Sequence, residues 1–573
     1  MLGIPYKKVY HHSPACQASL VFYRQVQAHS IEWEPMNKSQ LNIVLILLII
    51  VLGAAIVWPY HDYQNLLSQG DHGRDLYAAQ AVLEGQRPYQ DFWWVYGPLM
   101  PYYYGLCFKL LGSSIASILV GQLIIKIITG VFAYLALATL FHPLTALLGA
   151  LWSICFLQDF FFTYNHVGGV VFIMAVVWLL FCYIKKPETK YIYAALLSAL
   201  LLGLIKINFS FCALLLIALA IPLRQWLCRH TAPGNKKILY ALTLIGVPSL
   251  LIGIYWLLLN GLTLPEARQC LPYMNGDQPY EISPFVALKN FFQIIFKNMF
   301  SSWLNTLMAA VIIASSLRTA YVLWRKQLPP ARQTVVQLAL IILSLFYALN
   351  FHEYLKSGVW YRSFWSQPLS VLITFVLVDT AIHSITSKRK WLGYAPLILV
   401  LGVSWFNGYQ ILNSVKQSSQ YLDIDGAHVY LQNQPGWIKA VKDTTAFLKA
   451  NVPPDELFFA LPYDCLYYFL THKKTPTRQL IFFDHIKIPS TQEESIIADL
   501  EKNHVNYVLL SNRAFAHTET GLGMFGKTYC PLIDQYIQAH FVPIARFGDW
   551  RNEPGWGWNH GTLILKRKTM MTR

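Results

Sequence analysis

The chain has 573 residues, of which 55% are hydrophobic and only 13% charged, and its mean hydropathy is +0.38. A soluble globular protein carries about 25% charged residues, so the composition excludes that class and indicates an integral membrane protein. The net charge of +16 does not indicate a nucleic-acid partner, because much of the excess lies in short segments between apolar runs, at 185–190, 224–237, 325–332 and 388–390. These segments follow the positive-inside rule, so the charge predicts the orientation of the chain in the membrane.

The first apolar run follows Met36, in the stretch NKSQLNIVLILLIIVLGAAIVW. It is long enough to cross a bilayer and has no small-residue cleavage pattern, which predicts a retained anchor and not a removed signal peptide. Residues 1–35 show neither a helical nor a signal-like pattern. We therefore expect Met36 to be the natural start and residues 1–35 to be a leading segment from an over-called start site, without a function of its own.

Apolar runs of roughly 20 residues predict about eleven membrane-spanning helices. They lie near residues 40–59, 114–141, 143–158, 167–184, 190–205, 208–223, 238–259, 302–323, 334–350, 365–384 and 391–411. With the N-terminus inside, the basic segments all fall in the cytoplasm, and the odd number of spans places the C-terminus outside. The inner loops are short and leave no room for a nucleotide-binding domain, so any chemistry is expected on the outer face.

The predicted organisation is a transmembrane module over residues 36–412, with a first outer loop at 60–113, followed by an extracytoplasmic α/β domain over residues 413–573. In that domain the strand-like runs ELFFALP and VNYVLLS flank TQEESIIADLEKN, which has a helical pattern. About 160 residues suffice for a domain of this kind. Cys465 and Cys530 both fall in it, and they either form a disulfide or remain two thiols.

The most informative stretch is GDHGRDLYAAQAVLEGQRPYQDFWWVYGPL, at residues 70–99 of the first outer loop. Its apolar residues recur at spacings of three and four, at Leu76, Ala79, Val82 and Leu83. This pattern predicts an amphipathic helix along the membrane interface, with Asp71 just before it. One interpretation makes Asp71 the N-cap of that helix and Asp75 an exposed first-turn acid that the helix dipole favours.

The order of residues in this loop supports a second interpretation. It runs Asp71, Gly73, Tyr77, Ala79, Leu83, Gly85, Pro88, Tyr89, Asp91 and Phe92, and ends in YGPLMPYYY. This order resembles the first extracytoplasmic loop of the GT-C superfamily, above all the bacterial relatives of protein O-mannosyltransferases and aminoarabinose transferases. The multi-span core and the C-terminal outer domain also fit, so the resemblance covers most of the chain. His72 departs from it, since it stands where relatives usually have Glu.

The resemblance implies an inverting glycosyltransferase that moves a sugar from a polyprenyl-phosphate donor to an extracytoplasmic acceptor, which is a lipid, a glycan or a protein. Asp71 would be the general base that removes the proton of the acceptor hydroxyl as it attacks the anomeric carbon. A single displacement inverts that carbon and needs no carboxylate nucleophile. Asp91 is the second catalytic candidate, and it either orients the acceptor or holds the loop.

The departing lipid phosphate needs positive charge at the outer interface. The resemblance points to Lys206, after the fifth span, and to a group between the ninth and tenth spans made of His352, Lys356 and Arg362. The alternative for the basic residues is snorkelling to lipid headgroups. The remaining candidates for substrate binding are His72, Tyr89, Tyr96, Asn165 and His166. Asn165 and His166 follow the third span and are expected either to contact the sugar or acceptor or to form an ordinary polar turn.

We expect no cofactor, because Lys and Arg alone can hold the carrier phosphate and the sequence has no acidic cluster shaped for a divalent metal beyond the aspartates of the first outer loop. A dependence on a divalent metal stays open. The expected partners are the polyprenyl-phosphate-linked donor, the acceptor and membrane lipids. The resemblance to bacterial proteins predicts a multi-pass protein of the cell inner membrane with a periplasmic C-terminal domain.

Three alternatives stay open. The chain could be a transporter or flippase of lipid-linked saccharides, although it shows no matching halves of the kind common in transporters. It could also be a polymerase or ligase that transfers a preassembled saccharide, or a scaffold without catalytic activity. Replacing Asp71 with Asn separates an enzyme from a transporter or scaffold.

Overall fold

The computed structural model describes residues 37–156, 164–228, 236–271, 331–357, 365–384, 413–515, 523–550 and 559–568, together with a few isolated positions. The chain divides into two compact units, residues 1–47 and residues 48–573. The described part of the first unit is the beginning of helix α1 (Lys38–Val57). All the contacts reported below lie within the second unit. The predicted domain boundaries at residues 35 and 412 stay predictions.

Helices dominate the first two thirds of the chain. After α1 they are, in chain order, α2 (Asp71–Leu83), α3 (Leu99–Leu111), α4 (Ile115–Leu140), α5 (Pro143–Phe156), α6 (Tyr164–Lys185), α7 (Thr189–Gly203), α8 (Ile207–Cys228), α9 (Lys236–Ala241), α10 (Val247–Leu259), α11 (Leu264–Gln269), α12 (Ala331–Asn350), α13 (His352–Ser357) and α14 (Gln367–Ser384). A π-helical turn at Leu242–Gly246 joins α9 to α10, so the two form one continuous rod.

Within the described residues, six helices are long and apolar enough to cross a membrane, and they coincide with α1, α4, α6, α8, α9–α10 and α12–α13. Three shorter apolar helices lie in α5, α7 and α14. The predicted polytopic α-helical membrane protein is therefore confirmed. The predicted spans near 302–323 and 391–411 lie outside the described residues, apart from isolated positions, and the total of about eleven stays a prediction.

Small residues let the membrane helices pack closely. A Cβ atom on Gly130 of α4 would lie 2.4 Å from Ile154 of α5, and one on Gly149 of α5 would lie 2.4 Å from Leu137 of α4. Close approach of this kind is the usual source of stability between membrane helices, since lipid tails are as apolar as the side chains that they replace. Among the long apolar helices described, α6 is the most buried, and its first residues form part of the site below.

The chain after residue 413 contains strands and helices in alternation. They are β2 (Gln420–Leu422), β3 (Val429–Leu431), α15 (Pro435–Asn451), β4 (Phe458–Leu461), α16 (Cys465–Thr471), α17 (Ser490–Lys502), β5 (Tyr507–Ser511), α18 (Pro531–His540), β6 (Phe541–Gly548) and β7 (Gly561–Arg567). Four of the strands form a sheet in the order β4-β5-β7-β6, in which only β4 and β5 run parallel. The two strand-like runs and the helical run are thus confirmed. Cys465 and Cys530 are buried free thiols, so they do not pair.

The first outer loop pairs and packs with the chain after residue 413. Strand β1 (Tyr63–Gln64) pairs with β3, which also pairs with β2, so one small sheet joins segments more than 350 residues apart. Helix α2 packs against α3, α6 and α16. A Cβ atom on Gly73 would lie 2.4 Å from the backbone nitrogen of Leu466, so only glycine allows α16 to approach this closely.

These contacts correct the prediction for α2. An amphipathic helix was expected to lie along the membrane interface, but the structure buries every residue of α2 from His72 to Ala81. The two ends of the helix are more open, with the Asp71 side chain 36% exposed at the beginning and Leu83 40% exposed at the end. The apolar residues of α2 do recur with helical spacing, but other parts of the protein also cover the face of the helix that was expected to meet water.

Candidate functional site

Asp71 lies at the first residue of α2 and does not cap the helix. The N-cap position belongs to Gly70, and no side chain caps the helix there, so the N-cap interpretation of Asp71 is wrong. One oxygen of the carboxylate, Oδ1, accepts hydrogen bonds from Arg74 Nη1 at 3.2 Å and from the Tyr463 hydroxyl at 3.0 Å. The side chain is 36% exposed. The Asp71 carboxylate is therefore fixed by hydrogen bonds but still accessible.

A buried ion pair lies directly behind Asp71. Arg74 Nε and Nη2 both donate to Asp75 Oδ1, at 2.9 and 2.8 Å, and the two side chains are 3% and 2% exposed. The backbone N–H of Asn165 donates to the other oxygen of Asp75 at 3.0 Å. Burial alone would lower the pKa of Arg74, but the neighbouring carboxylates and hydroxyls raise it well above its usual value, so Arg74 remains charged. The expectation of an exposed Asp75 is wrong, because α6 and Arg74 enclose it.

Tyr463, which lies in the chain after residue 413, contacts both Asp71 and Arg74. Its hydroxyl accepts from Arg74 Nη1 at 2.8 Å while it donates to Asp71. Burial raises the pKa of Tyr463 well above its usual value, so the hydroxyl keeps its proton and stays a donor. The ring packs against Gly70, where a Cβ atom would lie 2.7 Å from it, and the Arg513 guanidinium lies 5.4 Å from the ring centre. Asp71, Arg74 and Tyr463 thus form a closed triangle of hydrogen bonds.

An aromatic wall runs from this triangle to a second basic centre. The Arg74 guanidinium lies 5.0 Å from the centre of the Tyr96 ring, and the ammonium of Lys206 lies 5.9 Å from the centre of the same ring. His166 contacts Tyr96 edge to face at 4.7 Å and Trp365 at 5.4 Å. The carboxylate site and the Lys206 site therefore border one tyrosine ring.

Lys206 is buried and ion-paired. Its ammonium lies 2.7 Å from Glu353 Oε1, and the two side chains are 6% and 5% exposed. The amide nitrogen of Asn208 donates to the same Glu353 oxygen at 2.8 Å and contacts His352 Nε2 at 2.8 Å. The alternative in which Lys206 snorkels to lipid headgroups is wrong, since its ammonium has a buried carboxylate partner.

The structure brings together five of the predicted residues. Asp71, Tyr96, His166, Lys206 and His352 follow one another in a continuous series of contacts through Arg74, Trp365, Glu353 and Asn208.

Asn165 and His72 border this series. Asn165 joins it through its backbone bond to Asp75, and both polar atoms of its buried side chain lack a hydrogen-bond partner in the described part of the chain. The ring of His72 meets Tyr164 at 4.9 Å, and its Nδ1 accepts from the backbone N–H of Ser68 at 3.0 Å.

The other predicted residues hold the loop or fall outside the series. Asp91 accepts a hydrogen bond from the backbone N–H of Arg87 at 2.6 Å, which closes a turn of the first outer loop. Tyr89 is buried, and its hydroxyl donates to the carbonyl oxygen of Tyr96. Lys356 lies in α13, but its side chain is not among those described, and Arg362 lies outside the described residues.

The sequence prediction missed Arg74 as a site residue, misjudged Asp75 and gave no role to Tyr463 or Glu353. A local signal existed for the first two, since positions 71, 74 and 75 lie on one face of a helix at spacings of three and four. Tyr463 has no such signal, because it is 392 residues away from Asp71. Glu353 adjoins the predicted His352, but nothing local indicates that its partner is Lys206.

No protein-family model matches the sequence, and no curated protein matches it. Among solved structures, the chain is similar to the apo form of the oligosaccharyltransferase from Archaeoglobus fulgidus, with a TM-score of 0.51 and 11% identity over 91% of this chain and 75% of that one. It is also similar to ArnT from Cupriavidus metallidurans bound to undecaprenyl phosphate, with a TM-score of 0.45 and 10% identity over 91% of this chain and 97% of that one. For the arabinofuranosyltransferase AftD from mycobacteria, the TM-score is 0.42 and the identity 13%, over 93% of this chain and 42% of that one.

Proposed function

Because the chain has the GT-C fold, we propose that it is an inverting glycosyltransferase that moves a sugar from a polyprenyl-phosphate carrier to an acceptor outside the cytoplasm. The acceptor is a glycolipid, a polysaccharide or a protein, and the enzyme belongs to the cell inner membrane with the site on the periplasmic side. A fold hosts many functions, so the proposal depends on the site. The observation that carries it is the accessible carboxylate of Asp71, held at one oxygen by Arg74 and Tyr463, next to a tyrosine ring that both Arg74 and the buried Lys206 contact.

Asp71 is the proposed general base. Its Oδ1 is held by Arg74 and Tyr463, whereas Oδ2 makes no hydrogen bond to any residue that the structure describes. Oδ2 is thus the oxygen that takes the proton of the acceptor hydroxyl while that hydroxyl attacks the anomeric carbon. The bond from the sugar to the carrier phosphate breaks in the same step, so the anomeric carbon inverts and the polyprenyl phosphate leaves with the bonding electron pair.

Lys206 is the proposed partner of the departing phosphate, because a fixed positive charge stabilises the negative charge that develops there. Tyr96 and His166 separate it from the base and form the wall along which the sugar lies. The buried amide of Asn165 supplies one donor group and one acceptor for sugar hydroxyls. His352 belongs to the Lys206 centre, and Tyr89 and Asp91 keep the loop in shape.

In the described part of the chain, no three His, Cys, Asp or Glu side chains are grouped to hold a metal ion. The proposed steps use Arg74 and Lys206 as the positive charges, and no step is routed through a metal.

The test is genetic complementation with Asp71→Asn, read by mass spectrometry of the envelope glycolipids and glycans. A deletion strain is expected to lack one sugar, and the wild-type chain to restore it. Because a positioned base contributes roughly 10²–10⁴ in rate, Asp71→Asn is expected to leave the product at the deletion level.

Asp443→Asn is the matched control, since that partly exposed carboxylate on α15 pairs with Lys439 and with no other residue that the structure describes. It should restore the sugar fully, with both variants present in the membrane at wild-type amounts. Full restoration by Asp71→Asn would refute a transferase that uses this base and would favour a transporter or a scaffold.

A further inference from the structure

The Lys206 ammonium lies among three aromatic rings and a carboxylate. The ring centres are 5.3 Å away for Trp365, 5.4 Å for Phe209 and 5.9 Å for Tyr96. Glu353 Oε1 lies 2.7 Å from the same ammonium. Cations lie well against aromatic faces, but a ring offers no oxygen that a phosphate could replace. Glu353 is therefore the group whose place a phosphate oxygen would take.

Glu353 is built to release the lysine without being left unpartnered. Asn208 donates to the same oxygen, Oε1, that contacts Lys206, so this hydrogen bond remains when the ammonium turns to another anion. A second contact fixes the Asn208 amide, because its nitrogen also meets His352 Nε2 at 2.8 Å, and His352 Nδ1 lies 2.7 Å from the carbonyl oxygen of Leu349. A buried carboxylate that keeps a donor is far less costly than an isolated one.

We propose that Glu353 is a displaceable counter-anion, which holds Lys206 when no donor is bound and is exchanged for the carrier phosphate when the lipid-linked donor enters. This inference rests on the proposed function, because it takes a polyprenyl phosphate as the ligand. It goes further in assigning Glu353 a role in setting donor affinity. The exchange keeps the Lys206 ammonium paired with an anion in both states, and in the donor-bound state Glu353 retains the hydrogen bond from Asn208.

The experiment measures binding of undecaprenyl phosphate to the full chain in lipid nanodiscs by native mass spectrometry, with undecaprenol as the uncharged comparison. Glu353→Gln removes the competing anion and is expected to tighten undecaprenyl phosphate binding by about tenfold, in the range of coupling between contacting charges. Lys206→Gln is expected to weaken the same binding by a similar factor. Undecaprenol should bind all the variants equally.

The decisive variant is the double substitution of Lys206 and Glu353 to Gln. If Glu353 acts by competing for Lys206, its removal has no effect once the lysine is gone. Equal tightening by Glu353→Gln with and without Lys206 would overturn the proposal, since it would show a general effect of charge. Unchanged or weaker binding by Glu353→Gln would also overturn it and would leave the proposed function standing.

The matched control is Asp379→Asn, which removes a buried carboxylate on α14 that accepts a hydrogen bond from Thr145 at 2.9 Å. Its affinity for undecaprenyl phosphate should equal that of the wild-type chain. Thermal unfolding of each variant in the same nanodiscs shows that the chain is folded when binding is measured. A wild-type chain that bound undecaprenyl phosphate no better than undecaprenol would overturn both this proposal and the proposed donor class.

Discussion

Asp464 provides a quantitative test of how burial changes the pKa of a carboxyl group next to the candidate site. This carboxyl group directly follows Tyr463 and is fully buried. Its Oδ2 accepts from the Ser511 hydroxyl at 2.7 Å, whereas Oδ1 has no hydrogen-bond partner in the described part of the chain. Burial raises the pKa of Asp464 to about 6, although the positive charge of Arg513 opposes the rise.

The size and sign of the effect on stability follow from the difference in the pKa of Asp464 between the folded and the unfolded chain. The usual pKa of an aspartate is 3.8, so the folded chain holds this proton up to a pH about 2 units higher, which corresponds to ~3 kcal/mol. Below pH ~4 the group is neutral in both states, and its contribution to stability is fully present. As the pH rises from ~4 through ~6, the unfolded chain releases the proton first, so the folded state loses that stability.

Asp464→Asn keeps a neutral group of the same shape at every pH. We expect the variant to be more stable than the wild-type chain at pH 7.5 by ~3 kcal/mol, a figure that already includes the attraction to Arg513, and the difference should vanish near pH 4. Thermal unfolding in detergent from pH 4 to pH 8 measures this difference. Other groups cancel in the comparison, including His560, whose pKa burial lowers to about 3. A difference that did not change with pH would refute the reasoning.

Two further predictions concern α2 and its partners. Arg74→Gln is expected to lower the free energy of unfolding by ~3–5 kcal/mol, because it leaves the Asp75 carboxylate buried without its cation. Adding Asp75→Asn should recover most of this loss, as measured by thermal unfolding. An equal loss in the double variant would contradict this explanation. Gly73→Ala places a methyl group 2.4 Å from the backbone of Leu466, so it should sharply lower the yield of folded protein in size-exclusion chromatography, whereas Gly436→Ala, with open space around it, should not.

Features that depend on a short stretch of sequence were predictable. The apolar spans follow from length and hydropathy alone, and they agree with the helices wherever the structure describes them. The strands at Phe458–Leu461 and Tyr507–Ser511 also follow from their local pattern. Asp71 was proposed as a site residue from the order of residues in one loop, which likewise needs no knowledge of distant contacts, and its role stays a prediction.

Features created by distant contacts were not predictable. The exposed position expected for Asp75 fails because α6 and Arg74 enclose that carboxylate, and no local pattern reports their presence. The same reason applies to Lys206, for which the sequence gives a basic residue at the end of an apolar run but not its partner, Glu353. A hydrophobic period tells which face of a helix is apolar, but it does not tell whether the polar face meets water or another charged side chain.

On the proposed function, the triangle of Asp71, Arg74 and Tyr463 makes catalysis depend on the completion of protein synthesis. The ribosome makes the carboxylate 392 residues before the hydroxyl that holds it, so the first helices of a nascent chain enter the bilayer before Tyr463 can bind Asp71. On the proposed function, any product of premature termination or of cleavage after the last membrane helix would bind lipid carriers yet leave their sugars in place. Sugar transfer would then begin only when the last segment has crossed to the outer face and docked, which protects the carrier pool from half-made enzyme.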